Sequence, residues 1–505
     1  MRDAEDARDR YRFGPLERRG LVAGWRAGQI AAVATSLVLG VFALRSLPTM
    51  PGTVAALVVV AAGVAVATWP LGGRTIEEWL PDVVRHVTGG RGDLARRGRG
   101  DVAGRGRRRV PAPFATLRVL EARLEESSGR GPVGVVHDRG ARTYTVVLPA
   151  SGPGFALLGR QGQAGRVQAW AGVLASLSRQ GGLVHRVQWV ERSLPDAGVE
   201  IRRHFANRRA PLEDAAVRSY ASLLESETLT ARRHEVLVAL SIHAGHAARA
   251  VRAAGGGDTG ACAVLLREAA SLCRRLRDAG VTTAGPLGPR ALSAALRRGY
   301  NTDASMRARA DADADPLAGR TGAALLPGSS PPAPGSDPWP AAMAAEWSRV
   351  RVDGTWQASY WVAEWPRIDV GPDFLGPLLL ADVRRTVSVV MEPVSPVRAA
   401  RRVEQARTAD IADAELRRRG GFLATARRRR EEEVLVHREA ELADGHAQYR
   451  FTGYVTVTVE DPDELDDACG QTEQAAARAG LELRRCYGDQ AYAFSCSLPL
   501  GRGLA

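Results

Sequence analysis

Three places in this chain have residue types and spacings that suggest chemistry: the pair His243 and His246, the triplet Gly255–Gly257, and the alternating run Ala310–Asp315. Two histidines bind zinc when a thiol or carboxylate completes the set. None lies close in sequence, so the ordinary expectation is a structural or surface role on a shared helix face. A glycine triplet opening a helix suits a phosphate cradle, but no strand is expected to run into this one, and it reads as a plain turn. Alternating aspartates suit calcium, yet the run lacks the central glycine and the terminal bidentate glutamate of an EF-hand loop. The like-charged neighbours Asp466–Asp467 and Glu431–Glu433 lie in polar stretches, whereas a catalytic carboxylate needs a partner in a cleft. The five cysteines form no Cys-x-x-Cys and match no zinc spacing. They read as reduced and buried.

The basic residues exclude more than they suggest. All 69 are arginine, and the net charge is +13. Without lysine there is no Walker A loop, no Schiff base and no Ser-x-x-Lys nucleophile pair. Gly-x-Ser-x-Gly and His-Glu-x-x-His are also missing. The expectation is a protein that is not an enzyme, with no catalytic, cofactor-binding or metal-binding residues to nominate.

The elements that must position anything in this chain begin with two apolar stretches, Ala27–Leu44 and Thr53–Leu71, separated by the turn Pro48–Gly52. No charge lies between Arg26 and Arg45, or between Arg45 and Arg74. A bilayer core of about 30 Å needs about 20 apolar residues as helix, so the pair reads as a transmembrane helical hairpin over 27–71. A signal peptide fits poorly, because a second apolar stretch and a basic flank follow at once. Two helices buried inside a soluble domain would need protein on all sides. Arginines crowd both outer flanks and leave only Arg45 in the turn, which by the positive-inside rule places both termini in the cytoplasm and the hairpin in the inner membrane. Trp25 and Trp69 stand at headgroup level. With Arg74, Arg96, Arg97, Arg107, Arg108 and Arg109 they are the candidate lipid contacts. Anionic lipid attracts juxtamembrane basic residues at about 1 kcal/mol each. DNA phosphate competes for the arginines of the stretch Gly89–Arg109, but no aromatic residue interleaves these, and sequence-specific nucleic-acid binding is not expected.

The rest divides by composition. Residues 1–26 form a cytoplasmic N-terminal segment. Residues 72–109 hold a juxtamembrane helix (Ile76, Trp79, Leu80, Val83, Val84) and an Arg/Gly-rich stretch that reads as a solvated linker. Residues 110–301 alternate strand and helix patterns, with a hairpin over Val133–Val136 and Thr143–Leu148, helices over Gly165–Gln180, Ala197–Ala206, Leu212–Glu225, Gly260–Ala279 and Pro289–Gly299, and strands over Leu183–Trp189 and His234–His243. Leu117–Leu124 reads as a strand or a helix start. Residues 302–340 are a Pro/Ala/Asp-rich linker. Residues 341–505 carry a tryptophan-rich stretch (Trp356, Trp361, Trp365), a strand over Thr386–Pro393, a charged helix over Leu416–Glu441, a strand over Tyr449–Glu460, a helix over Pro462–Gly480, and strands over Leu481–Cys486 and Tyr492–Leu498. The three tryptophans suit a buried core, or a hot-spot patch. The fold class expected is α+β: the hairpin followed by two cytoplasmic α/β (ferredoxin-like) regions.

Tyr11-Arg-Phe-Gly-Pro-Leu-Glu-Arg-Arg-Gly20 followed by a hairpin resembles the small PrgI-like membrane subunit of conjugative type IV secretion systems. Thr143–Pro149, Gln188-Trp-Val-Glu-Arg-Ser-Leu-Pro195, Tyr360-Trp-Val-Ala-Glu-Trp-Pro366 and Gly488–Phe494 running into Leu498-Pro-Leu-Gly501 resemble the non-motor N-terminal region of TraC-type conjugation ATPases. The resemblance implies an actinobacterial membrane-anchored adaptor that docks a separately encoded motor ATPase, alongside other secretion subunits and other copies of itself. A scaffold subunit of a type VII secretion machine and a membrane-bound enzyme are the alternatives.

Overall fold

In the computed structural model, residues 11, 13, 27–46, 50–68, 110–123, 131–152, 154–195, 214–226, 232–301, 338–420 and 426–504 are described. The candidate lipid contacts Trp25, Trp69, Arg74, Arg96, Arg97, Arg107, Arg108 and Arg109 lie outside them. So do the juxtamembrane helix, the helix expected over Ala197–Ala206 and the aspartate run.

Two helices stand where the apolar stretches are, α1 (Ala27–Ser46) and α2 (Met50–Thr68). They meet along small residues. A Cβ on Gly63 would fall 2.2 Å from that of Ser36, and one on Gly40 would sit 3.0 Å from Val60 Cγ2. The large apolar side chains point away: Val38, Phe42 and Leu57 are 68%, 69% and 74% exposed. Among the described residues no helix is long and apolar enough to cross a membrane.

The remaining strands build one sheet. Its first half contains β1 (Leu117–Ala122), β2 (Val133–Asp138), β3 (Thr143–Ala150), β4 (Val184–Pro195) and β5 (Arg232–His243). Between β3 and β4 runs α3 (Arg160–Leu177), and between β4 and β5 runs α4 (Ala215–Ser226). After β5 come α5 (Ala248–Ala253), α6 (Gly257–Asp278) and α7 (Pro289–Arg298).

The second half contains β6 (Met343–Ala345), β7 (Val350–Val352), β8 (Thr355–Glu364), α8 (Gly376–Leu379) and β9 (Arg385–Val394). It continues with α9 (Pro396–Gly420), α10 (Ala426–Ala443), β10 (Gln448–Val459), α11 (Leu465–Arg478), β11 (Glu482–Arg485) and α12 (Gln490–Ser497). The strand order is β1-β2-β3-β5-β4-β9-β10-β8-β7-β6, with β11 also on β8. Every pairing is antiparallel.

Two findings go beyond the sequence reading. The two α/β regions share one sheet, because β4 pairs with β9 from Val187↔Met391 to Arg192↔Thr386 and makes it continuous. Each of these strands would otherwise be an open edge exposing backbone donors and acceptors. Second, Tyr492–Leu498 is a helix rather than a strand. Short apolar runs are ambiguous by periodicity. The free side of β8 is already shared between β7 and β11, so this segment crosses the sheet face instead.

Alternation within strands sorts the core. Val146, Leu148, Val187, Leu240 and Ile242 pack against Val173 and Leu177 of α3 and Leu265, Leu272 and Leu276 of α6. Val387, Val455, Val457 and Tyr360 meet Leu465, Cys469 and Ala476 of α11, and Trp189 packs against both clusters. The in-between residues Val147, Val190, Leu237 and Ala239 face the other way, onto Leu292 and Leu296 of α7 and Phe494 of α12. This period of two is the pleat of a strand covered on both faces.

Candidate functional site

The densest polar chemistry in the described molecule is buried under α12, where the two halves of the sheet meet. Gln188 sits on β4 with no exposure, opposite Val390 of β9. Its Nε2 lies 2.7 Å from Ser388 Oγ and 2.9 Å from the carbonyl oxygens of both Cys496 and Leu498. Its Oε1 accepts from Gly501 N at 2.7 Å. Ser388 Oγ also donates to Cys496 O at 3.0 Å. At the other end of α12, Gln490 accepts from Ser359 N at 2.8 Å and donates to the carbonyls of Ser359 and Cys486. A helix leaves its last carbonyls without intrahelical partners, and here Gln188 and Ser388 supply them. Buried polar groups so satisfied define one arrangement of the surrounding core.

Beyond α12 the chain runs across the face of the first half. Arg186 donates to Gly501 O at 3.2 Å and Leu504 O at 2.6 Å, and Tyr454 donates to Gly503 O at 2.9 Å. Arg502 grips Asp138 at 3.0 and 2.6 Å. Asp138 also accepts from Thr116 Oγ1 and from the amides of Gly140 and Ala141. Burial works against the Asp138 charge, but Arg502 and these donors hold its carboxyl below the usual carboxylate range. Gly501 and Gly503 adopt φ of +69° and +120°, and a Cβ on Gly503 would come within 2.5 Å of the Tyr454 ring. Glycine is required there.

The histidines come together in a way spacing did not show. His243 ends β5 and His246 lies in the turn after it, so they share no helix face. His185 joins them, with ring centroids 5.4, 5.7 and 4.8 Å apart. His243 Nδ1 accepts from the amides of Gly245 and His246 at 3.1 and 3.3 Å, which places its proton on Nε2, away from any ligating role. Among the described residues no cluster could hold a metal. Burial, then the charge of Arg186, pushes His185 down to about 4, so it is neutral at ordinary pH.

The glycine triplet turns the chain into α6, which starts at Gly257, with φ positive at all three residues. Asp258 just beyond it binds Arg118 at 2.5 Å and accepts from Tyr144 Oη at 2.7 Å. His137 stacks on Tyr144 at 4.2 Å and takes Arg118 Nε on Nδ1. These contacts pin the start of α6 to β1, β2 and β3. Burial, against the pull of Asp258, lowers the His137 pKa.

At the far end of β4, Arg192 is fully buried. It donates to Ala295 O at 2.6 Å and faces Glu235, which also binds Arg298 at 2.6 Å. Sequence reading assigned no role to Gln188, Arg186 and Arg502, because single polar residues within an apolar strand or in a short tail after the last helix carry no motif.

All five cysteines are buried, and none is in a disulfide. Trp361 donates to Thr452, and Trp356 lies under Arg349 and Arg351. A groove of about 1030 Å³ separates α3 from the α9–α10 pair, with Ala175, Val403 and Leu442 in its walls. An Arg407–Glu439 ion pair of 2.7 Å joins the two helices beside it.

No protein-family model matches the chain, and no curated protein matches it. Fold and site together define an α+β protein in which two helical N-terminal elements precede one antiparallel sheet, its two halves joined along β4 and β9 and clamped by α12.

Proposed function

We propose that this chain is a membrane-anchored structural adaptor of a type IV (conjugative) secretion system that docks a separately encoded motor ATPase at the inner face of the membrane. The observation that carries the anchor is the inside-out packing of α1 on α2: small residues at the contact, large apolar side chains outside. In water that arrangement leaves an apolar surface without cover. In lipid it is how helices associate. The helix backbones, 20 and 19 residues, are each about 30 Å long at 1.5 Å per residue, and arginine-rich flanks keep both termini cytoplasmic. The flanking tryptophans and arginines contact anionic lipid. Each half of the sheet is read as ferredoxin-like, and the four stretches that resemble TraC-type ATPases fall on β3, β4, β8 and the α12 clamp. Without lysine, nucleotide chemistry belongs to the partner.

Two measurements test this reading. The tagged protein should stay in the membrane pellet after alkaline carbonate washing, and release into the supernatant would remove the anchor. Extraction from native membranes in mild detergent should bring down a motor ATPase, other secretion subunits and further copies of the chain. Recovery of type VII subunits instead would move the protein to that machine. Robust ATP turnover by the isolated protein would defeat the adaptor reading.

A further inference from the structure

Tyr11 and Phe13, ahead of α1, are seated on the second half of the sheet. Tyr11 exchanges two backbone hydrogen bonds with Val370, Tyr11 N to Val370 O at 2.9 Å and Val370 N to Tyr11 O at 3.0 Å, an isolated antiparallel bridge. Two residues on, the Phe13 ring stacks on Trp365 at 5.3 Å and 26°, and tilts against Phe374 at 5.3 Å and Phe451 at 6.3 Å. Trp365 and Phe451 meet edge to face at 5.3 Å. Gly453 makes room for the indole, since a Cβ there would come within 3.0 Å of it.

The seat has two recognition features. A backbone edge at Val370 pairs with an extended segment, and an aromatic socket takes a ring two residues further on. Strand addition uses main-chain bonds for affinity and side-chain pockets for specificity in the same way, and offset or tilted rings at these separations attract one another. Phe451 remains 40% exposed with Phe13 in place, so removing the segment would uncover more of the socket.

We infer that residues Tyr11–Phe13 form a strap that holds the Trp365–Phe374–Phe451 end of the sheet close to the first N-terminal helix. The argument is one of leash lengths. Fully extended, the chain from Phe13 to Ala27 reaches at most about 50 Å, whereas that from Thr68 to Val110 reaches about 150 Å. With the strap seated, the short connection sets where the sheet lies relative to the helical hairpin. With it released, only the long connection remains. The seat stands on its own contacts, and only its consequence for orientation at a membrane rests on the function proposed above.

The test uses full-length protein in detergent. A Tyr11→Cys, Val370→Cys pair should oxidise to an intrachain crosslink, because residues exchanging both backbone bonds have Cα atoms about 5.5 Å apart, within disulfide range. The native cysteines are all buried and provide a quiet background. Phe13→Ala should reduce crosslinking several-fold and raise hydrogen exchange at the Val370 amide at least tenfold, and Phe13→Trp should restore both. Interchain crosslinking, or a Val370 amide that exchanges equally in wild type and Phe13→Ala, would overturn the strap. Carbonate extraction of the parent membranes, taken before detergent is added, is read separately, so a strap that fails in protein still retained by the membrane leaves the anchor standing.

Discussion

Gln188 shows how much one side chain can hold. It satisfies two carbonyls at the end of α12 and one amide of the tail, with no water exposure. Removing one partner of a buried hydrogen bond costs about 1–3 kcal/mol per orphaned group, and Gln188→Ala orphans several. We expect a loss of about 2–4 kcal/mol in denaturant unfolding, with faster proteolysis of the segment after Leu498. Unchanged stability would mean that Arg186, Arg502 and Tyr454 suffice to hold the tail.

His185 gives a pH signature. Its folded pKa of about 4 lies below the ordinary value of about 6.5. The unfolded chain therefore takes up the proton first as pH falls. The neutral ring's contribution is complete above about pH 6.5 and is lost progressively toward pH 4, by at most about 1.4 kcal/mol per pH unit. The groups facing it are Arg186, Glu392, His243 and His246. Melting temperature should fall between pH 7 and 4.5 in wild type, and the fall should be shallower in His185→Phe.

At the scale of elements, α1 and α2 depend on their small-residue seam. A Cβ on Gly40 would lie 4.0 Å from Ala56 Cβ, so Gly40→Cys with Ala56→Cys should form a disulfide in full-length protein. Adding Gly63→Leu, whose side chain must enter the space of Ser36, should abolish that crosslink. A crosslink that survives would place the helix contact elsewhere.

The element read least well from sequence is α12. Its eight residues, Gln-Ala-Tyr-Ala-Phe-Ser-Cys-Ser, carry no helical period, because all but Ala491 and Tyr492 are buried: Phe494 enters the apolar cluster with Phe114 and Leu296, while Gln490 and the carbonyl of Cys496 meet the polar seam. Helix and strand are indistinguishable in such a run until neighbours decide. The long amphipathic helix α6 and the strands β3, β5 and β10 fell close to their expected ranges, because their periodicity extends over enough residues to be read directly.

For the whole molecule, the seam of β4 with β9 decides whether the two halves can be parted. A fragment spanning 110–301 would open the β4 edge from Val187 to Arg192 and strip α12 from Val190, Leu237 and Ala239. Exposed apolar edges pair with other chains. Light scattering should find that fragment associated or aggregated, and a folded monomer would show that the halves are independent domains after all.

Sequence alone determined the two apolar helices, the exclusion of lysine chemistry, the α+β class and most strands, because each is written in composition or in a short-range period. The wholly buried Gln188, the gathering of His185 with His243 and His246, and the merging of two regions into one sheet were decided by tertiary structure. Gln188 and the merged sheet depend on residues up to 313 positions apart meeting at the seam, and the histidines on β4 lying beside β5; there pairing of open strand edges and satisfaction of buried polar groups operate, and local pattern carries no record of the partner.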